Sequence, residues 1–390
     1  IKAGQRLEKF TTYWTERFHN DCEALGLLKP DVEPSAVAHI AQQIQLVENL
    51  LQRGHAYTSE DGSVYFRISS FGEYGKLSKL KSRDLSAGAS RRTTADDEYS
   101  KESLGDFALW KGRREEDGEN FWQSPWGDGR PGWHLECSAM CREYLGDSFD
   151  LHSGGEDLVF PHHENEIAQS ICSSGQPFAR HWFHIAHLMV DGGKMSKSLG
   201  NMYTLDDLKG KGHDPEVVRY ALLSGHYRQP LNFTISSLEA ARSALGKLLK
   251  AHDLLGGGAP PSYEESLARG GSELGPFKAA WEALLDDLNT PKALGALFST
   301  VNNIDPASLA NDEKKELRES FWFLLNAFGI CLPKTDAPKD PPCEIKELAE
   351  KRLQARLAKN WAEADKHRET LDEAGWLVKD LPTGFELIPK

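Results

Sequence analysis

Between Leu151 and Ser170 the chain reads Leu-His-Ser-Gly-Gly-Glu-Asp-Leu-Val-Phe-Pro-His-His-Glu-Asn-Glu-Ile-Ala-Gln-Ser, which gathers imidazoles, carboxylates and a glycine pair. His162 and Glu166 are four residues apart, so on a helix they share one face. An imidazole and a carboxylate so placed can bind a metal ion. A glycine turn beside a helix start can approach a nucleotide. Upstream, Gly132-Trp133-His134-Leu135-Glu136-Cys137 adds a thiol. Cys137, His162 and Glu166 together offer thiolate, imidazole and carboxylate, a donor set that suits Zn²⁺ and leaves at least one coordination position open. The plainer readings are a small buried hydrophobe for a lone cysteine and a satisfied core residue for a lone histidine. Cys141 and His163 are placed in that class. Neither H-E-x-x-H nor H-x-x-E-H occurs at residues 162–166, which excludes a zinc peptidase.

Downstream, Lys194-Met195-Ser196-Lys197-Ser198 sets two ammonium groups on a loop that follows a strand. Such lysines can neutralise the charge growing on pyrophosphate as an α-phosphate is attacked. Two lysines on a loop are otherwise an ordinary solvated turn.

The elements that must position these groups are legible in outline. A short strand, Phe149 to Leu151, is expected to enter a glycine turn at Gly154 and Gly155, with Pro161 in the first turn of the next helix. Residues 132–144 read as a helix with Trp133, Met140 and Tyr144 on its core face. Residues 182–190 read as one strand ending at Asp191-Gly192-Gly193. Two strand–turn–helix units in succession predict a parallel α/β sheet. Ahead of them lie a helix with Leu7, Phe10, Trp14 and Phe18, and a second with Ile40, Ile44, Val47 and Leu51. A hairpin closes around Asp61-Gly62, and residues 107–111 form a buried strand. Between them Lys76, Lys79, Lys81, Arg83, Arg91 and Arg92 make a basic run, read as a solvated insertion loop with RNA contact as the sharper alternative. Beyond Asn201 helices dominate: residues 217–223, 237–255, 277–288, 293–304 and 317–328, interrupted by the glycine- and proline-rich linker 256–261. They predict a helix bundle. A linker at 334–342 leads to a charged helix pair over 345–374 and a small β element over 376–388.

Composition bounds the classes. Of 390 residues, 39% are hydrophobic and 27% charged, as in an ordinary globular protein of two or three domains. No apolar run reaches the length of a membrane span and no secretion signal opens the chain. Six cysteines over this length suit free thiols in a reducing cytoplasm rather than a disulfide scaffold. A net charge of −13 argues against indiscriminate nucleic-acid binding, so RNA contact requires local basic surface.

The lysine segment, extended as Lys194-Met195-Ser196-Lys197-Ser198-Leu199-Gly200-Asn201, resembles the KMSKS loop of class I aminoacyl-tRNA synthetases. The words Gly-Trp-His-Leu-Glu-Cys-Ser-Ala-Met and Phe-Pro-His-His-Glu-Asn-Glu-Ile-Ala-Gln-Ser, with Ser224-Gly225-His226-Tyr227-Arg228, closely resemble the cysteinyl-tRNA synthetase family over essentially the whole chain. The resemblance implies a Rossmann-like α/β catalytic domain over residues 1–205, with a connective insertion at about 59–110. A linking region over 206–235, an all-α bundle over 236–333 and a C-terminal α+β anticodon-recognition region over 334–390 would follow. It implies ATP-dependent activation of cysteine, with Mg²⁺, and transfer to tRNA(Cys) by a cytoplasmic monomer. Cys137, His162 and Glu166 would hold one Zn²⁺ that binds the substrate thiol, and so discriminate cysteine from serine beyond what size allows. Trp133 and His152 would line the cysteine pocket, Gly154, Gly155 and Asp157 would face the adenosine, and Lys194 and Lys197 the phosphates. Lys351, Arg352, Arg356, Lys359 and Lys366 are candidate tRNA contacts or a solvated helix face.

The family begins with a strand carrying a further cysteine ligand, then a His-Ile-Gly-His signature. No cysteine precedes Cys22 here and no histidine precedes His19. The expectation is therefore an amino-terminally incomplete, inactive synthetase with an incomplete parallel sheet. Two alternatives remain at this point: a cysteine ligase acting on an amino-sugar, as in mycothiol synthesis, and a non-catalytic zinc- or tRNA-binding remnant.

Overall fold

The computed structural model describes residues 7–80, 106–196, 199–271, 274–332, 341–381 and 384–389. The chain divides into two compact units, Ile1–Cys331 and Leu332–Lys390.

The core of the first unit forms where one helix face meets a small sheet. Helix α2 (Ile40–Gln52) follows α1 (Leu7–Ala24) and turns Leu46, Val47 and Leu50 inward. Against it lies an antiparallel sheet of four strands in sequence order: β1 (Ala56–Thr58), β2 (Val64–Phe66), β3 (Phe107–Gly112) and β4 (Gly129–Pro131). The hairpin around Asp61-Gly62 is as expected, and β3 carries the buried Phe107, Leu109 and Trp110. Helices α3 (Trp133–Leu145) and α4 (His162–Ser174) close the core with Leu135, Ala139, Ala168 and Cys172. Each large apolar side chain so buried contributes about 1.5–3 kcal/mol. The entry to α3 passes so close to β3 that a Cβ on Gly132 would strike the Ala108 carbonyl oxygen. That approach is what sets α3 against the sheet.

Two strand expectations are corrected. Strand β5 runs Phe149–Gly155, so Gly154 and Gly155 are strand residues and not a turn. They stay extended because β5 pairs in parallel with β6 (Ala179–Ile185), Gly154 opposite His184 and Gly155 opposite Ile185. The stretch 182–190 is not one strand. It breaks after Ile185, where the Ala186 N–H donates to the Tyr227 carbonyl at 2.8 Å. The continuation, β7 (Leu188–Val190), joins another sheet, parallel to β9 (Leu231–Phe233) and antiparallel to β8 (Gly193–Lys194). The second expected strand–turn–helix unit is thus a hairpin. Pro161 stands immediately before α4 rather than inside its first turn.

The helical half is close to expectation: α6 (Pro215–Leu223), α7 (Ile235–Leu254), α9 (Lys278–Leu285), α10 (Thr290–Asn303) and α11 (Asn311–Phe328). Two short helices, α5 (Leu205–Gly210) and α8 (Tyr263–Arg269), were not expected from periodicity. The stripe Phe10, Trp14 and Phe18 of α1 stays exposed. The second unit is a helix pair, α12 (Cys343–Leu357) and α13 (Trp361–Glu373), with a hairpin of β10 (Trp376–Leu381) and β11 (Gly384–Pro389). In the basic run, Lys81, Arg83, Arg91 and Arg92 lie outside the described residues. Among the described residues no helix is long and apolar enough to cross a membrane.

Candidate metal centre and its surroundings

Helices α3 and α4 pack side by side and bring the three predicted donors together. The ligand atoms of Cys137, His162 and Glu166 lie within 4.8 Å of one another. Glu166 is fully buried. Its Oε2 is 3.0 Å from His152 Nε2, and its Oε1 is 3.5 Å from His162 Nε2. Neither oxygen nevertheless accepts a hydrogen bond of adequate geometry. A buried carboxylate left in that state is costly unless a cation balances it. The adjoining thiol responds to the same field: burial, and then the Glu166 charge, push Cys137 up to about 12. Cys141, one turn on, is also pushed up to about 12, by burial and then Glu166. A soft thiol, an imidazole and a buried carboxylate that accepts no adequate hydrogen bond converge here, a donor set that fits Zn²⁺.

Two further buried imidazoles, those of His134 and His163, flank the three donors. Burial, and then His162 and Lys111, lower His134 to about 3. Burial, and then His152 and its other histidine neighbours, lower His163 to about 3. Burial likewise lowers His162. His134 Nδ1 meets His162 Nδ1 at 2.8 Å, so one ring donates and the other accepts. When His162 donates from Nδ1, the lone pair of its Nε2 is left on the side of Cys137 and Glu166. Gln169 holds the base of this arrangement, donating to the His134 carbonyl and, at 2.7 Å, to Ser138 Oγ. A second grouping, His152, His163 and Glu166, is equally close. There His163 Nδ1 is already engaged with His184 Nε2 at 2.9 Å, and no thiol takes part. His134, His184 and Gln169 were missed in the sequence. The Gly-Trp-His word contained His134, but nothing in its spacing revealed the cross-helix contact.

The other predicted residues fall as follows. Trp133 is half-exposed beside the donors, its ring 4.5 Å from that of His162. His152 touches both Glu166 and the Trp182 ring, the latter at 5.0 Å. A Cβ on Gly154 would sit 2.8 Å from His163 Cε1 and 3.0 Å from Leu158 Cδ1. One on Gly155 would strike the Asp157 carboxylate. The two glycines therefore admit the protein's own side chains, and Asp157 folds back toward Gly155. Lys194 is exposed on β8, whereas Lys197 lies outside the described residues. Asn201 pins the base of the lysine loop: its Nδ2 donates to the Lys194 carbonyl at 3.1 Å, and its Oδ1 accepts from the Ser196 N–H at 2.9 Å.

In the second unit Lys351, Lys359 and Lys366 are exposed. Arg352 departs from expectation as a surface contact. It is 5% exposed and forms a two-point pair with Asp380, at 2.7 and 3.1 Å. Arg356 leans on the same carboxylate.

The chain is similar along most of its length to known proteins. The family described as tRNA synthetases class I (C) catalytic domain matches residues 1–243, and a DALR domain matches residues 281–332. A cysteine–tRNA ligase of Opitutus terrae is 50% identical over 389 residues, 99% of this chain and 81% of the relative. One from Alkalilimnicola ehrlichii is 44% identical, over 98% of this chain and 82% of the relative. Among solved structures, a Mycobacterium tuberculosis methionyl-tRNA synthetase bound to methionyl-adenylate aligns with a TM-score of 0.53 at 15% identity. That alignment covers 84% of this chain and 78% of the other, and it establishes likeness of fold alone.

Proposed function

The chain belongs to the class I cysteine–tRNA ligase family, and we propose that its buried thiol–imidazole–carboxylate triad holds the zinc ion that selects cysteine. The reaction is ATP-dependent ligation. Cysteine and ATP give cysteinyl-adenylate and pyrophosphate, and a hydroxyl of the terminal adenosine of tRNA(Cys) then takes the cysteinyl group as AMP leaves. The amino-sugar ligase alternative is not favoured, since relatives over nearly the whole chain are cysteine–tRNA ligases. The single observation that carries the zinc assignment is Glu166, fully buried with neither oxygen accepting a hydrogen bond of adequate geometry, its ligand atom within 4.8 Å of those of Cys137 and His162.

In this scheme Cys137, His162 and Glu166 are the metal ligands, and a bound zinc would favour a substrate thiolate over a serine hydroxyl. His134 orients His162 through the Nδ1 contact. Trp133 walls the pocket and keeps water from the thiol. His152 lies beside Glu166, where it borders the same pocket. Gly154, Gly155 and Asp157 border the adenosine, and Lys194 with Lys197 faces the phosphates, where ammonium charge offsets the charge developing on pyrophosphate. The rate gain comes from orientation and electrostatics, without a covalent protein intermediate. The bundle over 236–333 and the region 334–390, with exposed Lys351, Lys359 and Lys366, would contact the tRNA.

Zinc titration of the full chain against a chromophoric chelator tests the assignment. The wild type should bind one equivalent. Cys137→Ser and His162→Ala should each lose zinc and, with it, cysteine affinity; undiminished stoichiometry in both variants removes them from the ligand set.

A further inference from the structure

One buried charge on α4 has no part in the scheme above. Glu164 is 1% exposed and sits between the two helix-borne donors. Successive helix residues turn by roughly 100°, so His162 and Glu166 point nearly the same way while Glu164 points to about the opposite side. There its carboxylate meets a loop of the insertion. Oε2 accepts from the Gly75 N–H at 2.8 Å, and Oε1 accepts from the Ser78 N–H at 2.7 Å. The next residue, Asn165, reinforces the contact, its Oδ1 accepting from the Tyr74 hydroxyl at 2.5 Å. Both Glu164 oxygens are thus satisfied by backbone donors, whereas the Glu166 oxygens lie among imidazoles without accepting a hydrogen bond of adequate geometry. Charge-assisted bonds of this kind are short and directional, and here they fix how the helix is rotated about its axis.

We propose that Glu164 is a positioning residue for the metal centre. By clamping the loop from Tyr74 to Ser78 against the rear of α4, it sets the helix rotation at which His162 and Glu166 converge on Cys137. The inference rests on the zinc assignment. Its leverage is geometric. Donor atoms lie roughly 6 Å from the axis, so a helix rotation of about 10° displaces them by about 1 Å, whereas metal–ligand distances tolerate about 0.2 Å.

The test uses the full chain in the same zinc competition. Glu164→Gln turns an amide N–H toward a backbone N–H while preserving shape. It should weaken zinc binding about 10- to 100-fold, the usual effect of removing a support behind a metal ligand, with the near-UV circular dichroism of the zinc-loaded fold retained. Equal zinc affinity in Glu164→Gln and wild type overturns the proposal. A second measurement needs no variant. Coupling between sites is reciprocal, so zinc should slow amide hydrogen exchange at Gly75 and Ser78 in the wild type. If Glu164→Gln does not fold, that exchange decides the matter, and zinc-independent exchange overturns the proposal. A wild type that binds no zinc defeats the metal assignment itself, a result visible before any variant is made.

Discussion

At the scale of single residues, what separates Glu166 from Glu164 is not burial but partners. Both are almost fully enclosed, yet one carboxylate accepts from backbone N–H groups and the other faces imidazoles without accepting a hydrogen bond of adequate geometry. The same distinction sorts the histidines. His163 is committed to His184, whereas His162 is held through Nδ1 by His134 with Nε2 left toward the thiol and carboxylate. His134 packs edge-on against Phe107, ring centres 5.8 Å apart, so His134→Phe keeps an aromatic ring in an aromatic setting while deleting the nitrogen that meets His162. We expect zinc affinity to fall about 10-fold, read by chelator competition, with the fold unchanged by circular dichroism. Wild-type affinity in this variant would mean that His162 needs no partner to present its lone pair.

At the scale of elements, the site is a helix pair set against a parallel strand pair, and Gly154 is where the two touch. A Cβ there would stand 2.8 Å from the His163 ring, closer than carbon atoms pack. Gly154→Ala should therefore cost about 1–3 kcal/mol as overpacking, measured by urea unfolding. A neutral result would mean that His163 can swing away freely. Much at this scale was legible beforehand. The His162/Glu166 spacing, the start of α3 at Gly132 and the hairpin at Asp61-Gly62 each follow from local rules, and local rules were enough. The glycine pair misled because the same residue type serves a turn or a close-packed strand, and only the pairing of β5 with β6 decides between them. The break at Ala186 was invisible because its cause, the Tyr227 carbonyl, lies 41 residues later in the chain (227 − 186). His134 escaped notice for the same reason: its partner is on another helix.

At the scale of the whole molecule, long-range clamps join what local rules build separately. Within the first unit, Arg219 on α6 donates to the Leu25 carbonyl at the end of α1 and to the Phe328 carbonyl at the end of α11, at 2.9 and 3.1 Å. Asp287, in the turn between α9 and α10, takes a two-point contact from Arg228 at 2.6 and 3.0 Å. The second unit has its own version, with Asp380 of β10 held by Arg352 and Arg356 of α12. The hydrogen bonds and charge of Arg352, followed by the charge of Arg356, hold the Asp380 carboxyl below its ordinary value. A carboxyl lowered on folding contributes stability that is fully present above the unfolded-state value, about 3.9, and is lost as pH falls through the lower folded value. Since the Asp380 side chain is 38% exposed, solvent screening keeps the contribution small, and Asp380→Asn should cost about 1 kcal/mol. Hydrogen exchange in peptides from α12 reads this directly in the full chain. Protection in the wild type should be flat from neutral pH to about 4 and decline below it, whereas Asp380→Asn should show weaker protection with no such decline. Equal protection in both chains at neutral pH would mean that apolar packing, not the clamp, holds the helix pair to its hairpin.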